Sequence, residues 1–126
     1  MITYKNDKFL ENLMECIVND LKLDYIKLEY VYIIRSYNAK TRAFARIYSI
    51  PSAIRFALKS QPIYVIEVVS ERFDILSKEE KVKVIIHELL HIPSSFTGGL
   101  RPHGKKVNEK IVNNLFKKIN INKCSY

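Results

Sequence analysis

Apolar positions recur at steps of three and four from Asp7 to about Leu21, through Phe9, Leu10, Leu13, Met14, Ile17 and Leu21. That period predicts an amphipathic helix, with Asn6 or Asp7 able to cap its first turn. From Ile26 the period drops to two. Ile26, Leu28, Tyr30, Tyr32 and Ile34 alternate with Lys27, Glu29, Val31, Ile33 and Arg35, the pattern of a strand. Ser36 to Lys40 carries turn residues, and Arg42 to Tyr48 reads as a second strand running antiparallel to the first. Pro51 ends it, and Ser52 to Leu58 predicts a short helix. Beyond the breaker Gln61-Pro62, Ile63 to Val69 is rich in β-branched residues and predicts a third strand.

Ser77 followed by Glu80 has the form of a capping box, in which side chain and backbone satisfy each other's free donors at a helix start. A helix from Lys78 to His91 follows, with Val82, Ile85, Ile86 and Leu89 on one face and Pro93 as its stop. Ser94 to Gly104 is a loop holding all three glycines. The last predicted helix spans Lys105 to Lys118, with Val107, Ile111, Val112 and Leu115 turned inward. The order α–β–β–(α)–β–α–loop–α describes an α+β fold with helices packed on a small mixed or antiparallel sheet.

At 126 residues, with 48% apolar and 27% charged positions, the chain is expected to form one domain over 1–126. Its longest apolar stretches, such as Tyr30 to Ile34, are far shorter than the roughly 20 residues of a membrane span. No apolar signal core follows Met1, so a cytoplasmic setting is expected. In that setting Cys16 and Cys124, far apart in sequence, are expected to be two free thiols. The absence of a CxxC pair excludes a cysteine-based zinc ribbon. The net charge of +8 permits nucleic-acid binding but does not favour it, because the lysines are scattered as on any solvated surface.

The helix predicted from Lys78 contains His87-Glu88-Leu89-Leu90-His91, an HExxH motif. Residues four apart on a helix differ by about 40° in direction, so both imidazoles can reach one zinc ion at about 2.0–2.1 Å. Glu88 flanks the pair, placed to act on water as a general base rather than to bind the metal. A catalytic zinc usually has three protein ligands. The favoured third is His103, which a loop with Pro93 and Gly98-Gly99 can return to the metal; the rival is Glu109 on the last helix. Position 94 is Ser and no methionine follows Met14, which excludes the metzincin pattern. Arg101 or Tyr48 is a candidate donor to an oxyanion, although Arg101 can equally brace the loop or pair with a carboxylate; Asp74 or Glu67 is a candidate partner for the second nitrogen of a metal histidine. If the strand Ile63 to Val69 lies at a sheet edge, it can hold an extended peptide by backbone pairing, with Tyr64 and Glu67 near the cleft; a strand covered on both sides is the equal alternative.

Ser70-Glu-Arg-Phe-Asp-Ile-Leu-Ser77, His87-Glu-Leu-Leu-His-Ile-Pro93 and Gly98-Gly-Leu-Arg-Pro-His-Gly104 together resemble the phage and archaeal metallopeptidase family. Ala45-Arg-Ile-Tyr48 and Tyr64-Val-Ile-Glu-Val68 are similar to that family too, so the resemblance covers roughly residues 43 to 108. It implies a minimal zincin-like fold with zinc on His87, His91 and His103, Glu88 as base, and a peptide or protein substrate. Two other classes stand beside this expectation: a zinc hydrolase or protease associated with nucleic acid, and a non-catalytic module stabilised by metal. Oligomeric state is not legible.

Overall fold

The computed structural model describes residues 1–124. Its elements are β1 (Thr3–Asn6), α1 (Lys8–Asp20), a single 3-10 turn (Leu28–Tyr30), β2 (Val31–Tyr37), β3 (Ala45–Ser49), α2 (Ser52–Leu58), β4 (Tyr64–Val69), α3 (Ser70–Phe73), α4 (Lys78–Leu90) and α5 (Glu109–Phe116). The fold is α+β, as the hydrophobic pattern predicts, and its four-stranded sheet is mixed. The strand order is β1-β2-β4-β3, with β2 and β4 parallel and both outer pairs antiparallel.

The helices follow their local signals closely. The Asp7 carboxylate accepts hydrogen bonds from the Phe9 and Leu10 N–H groups and starts α1. Ser77 and Glu80 form the expected capping box at the start of α4. The last helix begins later than its apolar period suggests. Asn108 accepts from Ile111 N–H and so fixes the start at Glu109, leaving 105–108 as the end of a loop.

The strands depart further from expectation. Residues 26–30 are not strand. Ile26 N–H bonds Leu23 O and Tyr30 N–H bonds Lys27 O, so their alternation is spent on tight turns. Ser36 and Tyr37, expected in a turn, extend β2 because β1 supplies ladder partners: Tyr4 lies opposite Ser36, and Thr3 opposite Tyr37. β1 itself is exposed throughout and carries no apolar alternation to announce it. β3 does run antiparallel to β2, but the two are not neighbours, because β4 lies between them. β4 is therefore central, the covered alternative of the two open to this strand. Its side chains are apolar or internally paired on both faces, and a strand of that kind is stable only with a neighbour on each side.

The core lies between one sheet face and the helices. Val31, Ile33, Ala45, Tyr64, Ile66 and Val68 project into it. Leu10, Leu13 and Ile17 of α1 meet them there, with Ile85, Ile86 and Leu89 of α4. At one end of the sheet the buried Arg35 guanidinium joins Asp7, Asp74 and Ser70, tying β2 to the start of α1 and to α3. Cys16 and Cys124 are not free thiols. They form a disulfide with their Cα atoms 5.5 Å apart. The segment after α5 returns to α1, where Asn120 N–H donates to the Asp20 carboxylate at 2.8 Å, and this return brings the two sulfurs together. No helix among the described residues is long and apolar enough to cross a membrane.

Candidate metal centre

The last turn of α4 carries His87 and Glu88, and His91 caps its end. Leu89, Ile86 and Ile85 point into the core, and that orientation turns the two histidines toward a cleft. The chain then reverses through a loop that hydrogen bonds hold on both sides. Arg101 N–H donates to His91 O, and the Arg101 guanidinium donates twice to Leu90 O, at 3.0 and 2.9 Å. That places a cation and its donors on carbonyls at the negative end of α4. On the far side Arg55 donates to Thr97 O at 2.7 Å, Gly98 N–H to the Tyr64 hydroxyl at 3.1 Å and Gly99 N–H to Ser49 Oγ at 3.1 Å. Gly98 has φ +101°, and a Cβ there would meet Arg55 Nη1 at 2.5 Å. The positive φ is what favours glycine there; a side chain would also push the flexible Arg55 guanidinium away from Thr97 O.

This loop delivers His103 to the helix pair. The ligand nitrogens of His87, His91 and His103 all lie within 4.8 Å of one another, so the triad could hold a metal ion. The shortest separation is 2.9 Å, between the Nε2 atoms of His87 and His103. These separations bracket the roughly 3.4 Å expected between imidazole nitrogens that share one tetrahedral ion at 2.0–2.1 Å. His91 Nδ1–H donates to Arg101 O at 2.6 Å, which leaves Nε2 as the nitrogen that can face a metal. Burial, followed by the nearby His91 and His103, lowers the His87 pKa and keeps its ring neutral, the form that binds metal. Glu88 is buried beside the triad, and burial alone pushes its pKa up to about 8.

Of the two candidates for a third ligand, His103 joins the cluster. Glu109, at the start of α5, lines the same cleft but stands outside it. The partners expected for the metal histidines are otherwise engaged. Asp74 pairs with Arg35, and Glu67 with Arg46 and Tyr48; the second nitrogen of His91 meets a backbone carbonyl instead, a partner that no residue type announces. The two candidate oxyanion donors have partners in this arrangement. Arg101 Nε and Nη2 donate to Leu90 O, and the Tyr48 hydroxyl donates to Glu67 at 2.7 Å, with burial and that carboxylate raising its pKa to about 12. Tyr64 and Glu67 are both fully buried and do not line the cleft.

The cleft has a volume of about 840 Å³. Its wall opposite α4 is β3, the sheet's edge, and not the central β4. Val69 N–H bonds Phe44 O and Ile50 N–H bonds Ile63 O. In this antiparallel ladder even-numbered β3 residues therefore turn their main-chain groups to β4, while Ala45 and Ile47 turn theirs to the open side. Leu76, Val84, Leu100 and Val112 make much of the remaining surface apolar.

The family model described as "Putative phage metallopeptidase" matches residues 2–120. The chain belongs to this metallopeptidase family. The match takes in the first strand, the helix with the histidine pair, the returning loop and α5, so the family's extent coincides with the elements that assemble the triad. No curated protein and no solved structure matches the chain.

Proposed function

We propose that the chain, acting as one domain over 1–126, is a zinc-dependent peptidase in which His87, His91 and His103 hold the metal and Glu88 is the general base. The observation that carries this reading is the convergence of three imidazole nitrogens within 4.8 Å, on a cleft whose opposite wall is an open strand edge. The donor set supports zinc: three imidazoles, with no fourth protein donor in the cluster among the described residues, suit a catalytic rather than a closed structural site. When bound, zinc supplies Lewis-acid polarisation of a carbonyl and of water.

The chain's own residues divide the remaining work. Ala45 and Ile47 offer outward main-chain groups that can hold an extended peptide as an added strand. Glu88 takes a proton from water and passes it to the departing amine nitrogen. Its burial favours the protonated acid in the metal-free protein, and a divalent cation on the adjacent imidazoles favours the carboxylate. The carbonyl of Arg101 holds the His91 ring in one tautomer.

The test combines metal analysis with digestion of a peptide library, using a chelator control. Glu88→Gln is expected to retain metal and lose cleavage by a factor of roughly 100 to 10,000. His103→Ala is expected to lose both, and Glu109→Ala neither. Undiminished cleavage by Glu88→Gln, or full metal content in His103→Ala, contradicts the assignment.

A further inference from the structure

The sheet has a second face, turned away from the helices. Where Val31, Ile33, Tyr64, Ile66 and Val68 enter the core, the alternating residues face the other way and build cross-strand rows. One row is Tyr32–Val65–Tyr48. Another, four residues along, is Tyr4–Ser36–Val69–Phe44. The two rows lie about 13 Å apart at strand rise. Their four aromatic side chains are between 43% and 56% exposed, on a sheet whose central residues Ser36, Glu67 and Val69 are buried. The carboxylate at the centre, Glu67, is neutralised by Arg46 at 3.0 Å and capped by the Tyr48 hydroxyl.

At the Val69 end this face runs into a recess of about 540 Å³ lined by Lys40, Arg42 and Arg72. Its one carboxylate, Glu71, accepts a hydrogen bond from Asn38 N–H at 3.0 Å. Three cations against one acid make a site for phosphate oxygens. Exposed aromatic rings on an open sheet offer flat surfaces to unpaired bases, which duplex DNA keeps stacked inside. A second copy of the chain is the poorer occupant, because it would bring two basic recesses and two net charges of +8 together.

We infer that this face binds single-stranded nucleic acid, with bases stacked on Tyr4, Tyr32, Phe44 and Tyr48 and the backbone drawn to Lys40, Arg42 and Arg72. Tyr4, Tyr32 and Tyr48 lie on the side of the sheet opposite the helical layer and outside the metal cleft, whose rim Phe44 and Arg46 share at the β3 edge, and the contacts proposed use neither the metal nor Glu88.

Fluorescence anisotropy with labelled (dT)12, (rU)12 and a 12-base-pair duplex, on the full chain at 50 and 200 mM salt, tests it. Both single strands are expected to bind alike and more tightly than the duplex. Tyr32→Ala is expected to weaken binding roughly ten-fold. The triple variant Lys40→Ala, Arg42→Ala, Arg72→Ala is expected to lower the slope of log K against log salt by about 2. Circular dichroism and thermal melting check folding, and Tyr4→Ala replaces Tyr32→Ala if the latter fails to fold. No binding at 50 mM salt overturns the inference. So does equal binding to duplex that neither tyrosine variant changes, which is charge attraction alone. Sedimentation showing a dimer that Tyr32→Ala dissolves, without oligonucleotide binding, assigns the face to a second copy instead.

Discussion

Arg101 shows at the scale of one residue how the centre is held. It lies two positions before His103 and supplies three things: an N–H to His91 O, a carbonyl to His91 Nδ1, and a guanidinium to Leu90 O. The first two belong to the backbone and survive substitution; the third does not. Arg101→Ala is therefore expected to loosen the returning loop and weaken metal affinity by roughly 10- to 100-fold, while sparing the fold. Arg101→Lys should recover little, since a single ammonium cannot reproduce the paired donors. Competition against a chromophoric chelator measures both. Unchanged affinity in Arg101→Ala would show that the backbone pair alone suffices. The sequence offers Arg101 either as a donor at the reacting carbonyl or, equally, as a brace for the loop, and the structure shows the brace. Its actual partner is a main-chain oxygen at a helix end, and main-chain acceptors are identical at every position of a sequence.

Among the elements, α1 depends on a residue with two duties. Asp7 caps the helix with one oxygen and meets the buried Arg35 guanidinium with the other. Burial would raise its pKa, but the Arg35 hydrogen bond, the Leu10 and Phe9 N–H groups and the Arg35 charge outweigh burial and lower it. A carboxylate whose folded pKa is depressed contributes stability that is full above its unfolded value, near 4, and is lost as pH falls through the folded value. Asp7→Ala is expected to cost about 2–4 kcal/mol at pH 7. Urea unfolding at pH 7, 5 and 3 should show the gap to the wild type persisting at pH 5 and narrowing toward pH 3; a constant gap would remove the ionised carboxylate from the account. The cap was readable in the sequence because a capping side chain acts within three residues. The Arg35 partner, 28 positions away, was not.

For the whole molecule, the disulfide is the main departure from expectation. It joins α1 to the segment after α5 across 108 positions. Closing a loop of about 100 residues removes chain entropy worth roughly 4–5 kcal/mol from the unfolded state in the loop-closure model. Cys16→Ser, or a reductant, is expected to lower the melting temperature clearly while leaving metal content unchanged, as thermal melts and metal analysis of the oxidised and reduced protein would show. Equal melting temperatures would mean that the bond adds nothing to the packing already present. Structural disulfides belong mainly to oxidising compartments and, within cells, to hyperthermophiles.

Local signals settled a large part of this protein. A capping box, an apolar stripe and a proline stop placed α4 within a residue of its end, and the four-residue step on that helix put His87 and His91 on one side with Glu88 between them. These features interact over one or two turns, so the order of residues is enough to specify them. Strand neighbours, the partner of each buried charge, the pairing of Cys16 with Cys124 and the approach of His103 were decided by the tertiary structure. A strand's period fixes which faces it presents but not which strand lies beside it, and charges, sulfurs and imidazoles meet only after the chain has closed loops whose ends no local pattern connects.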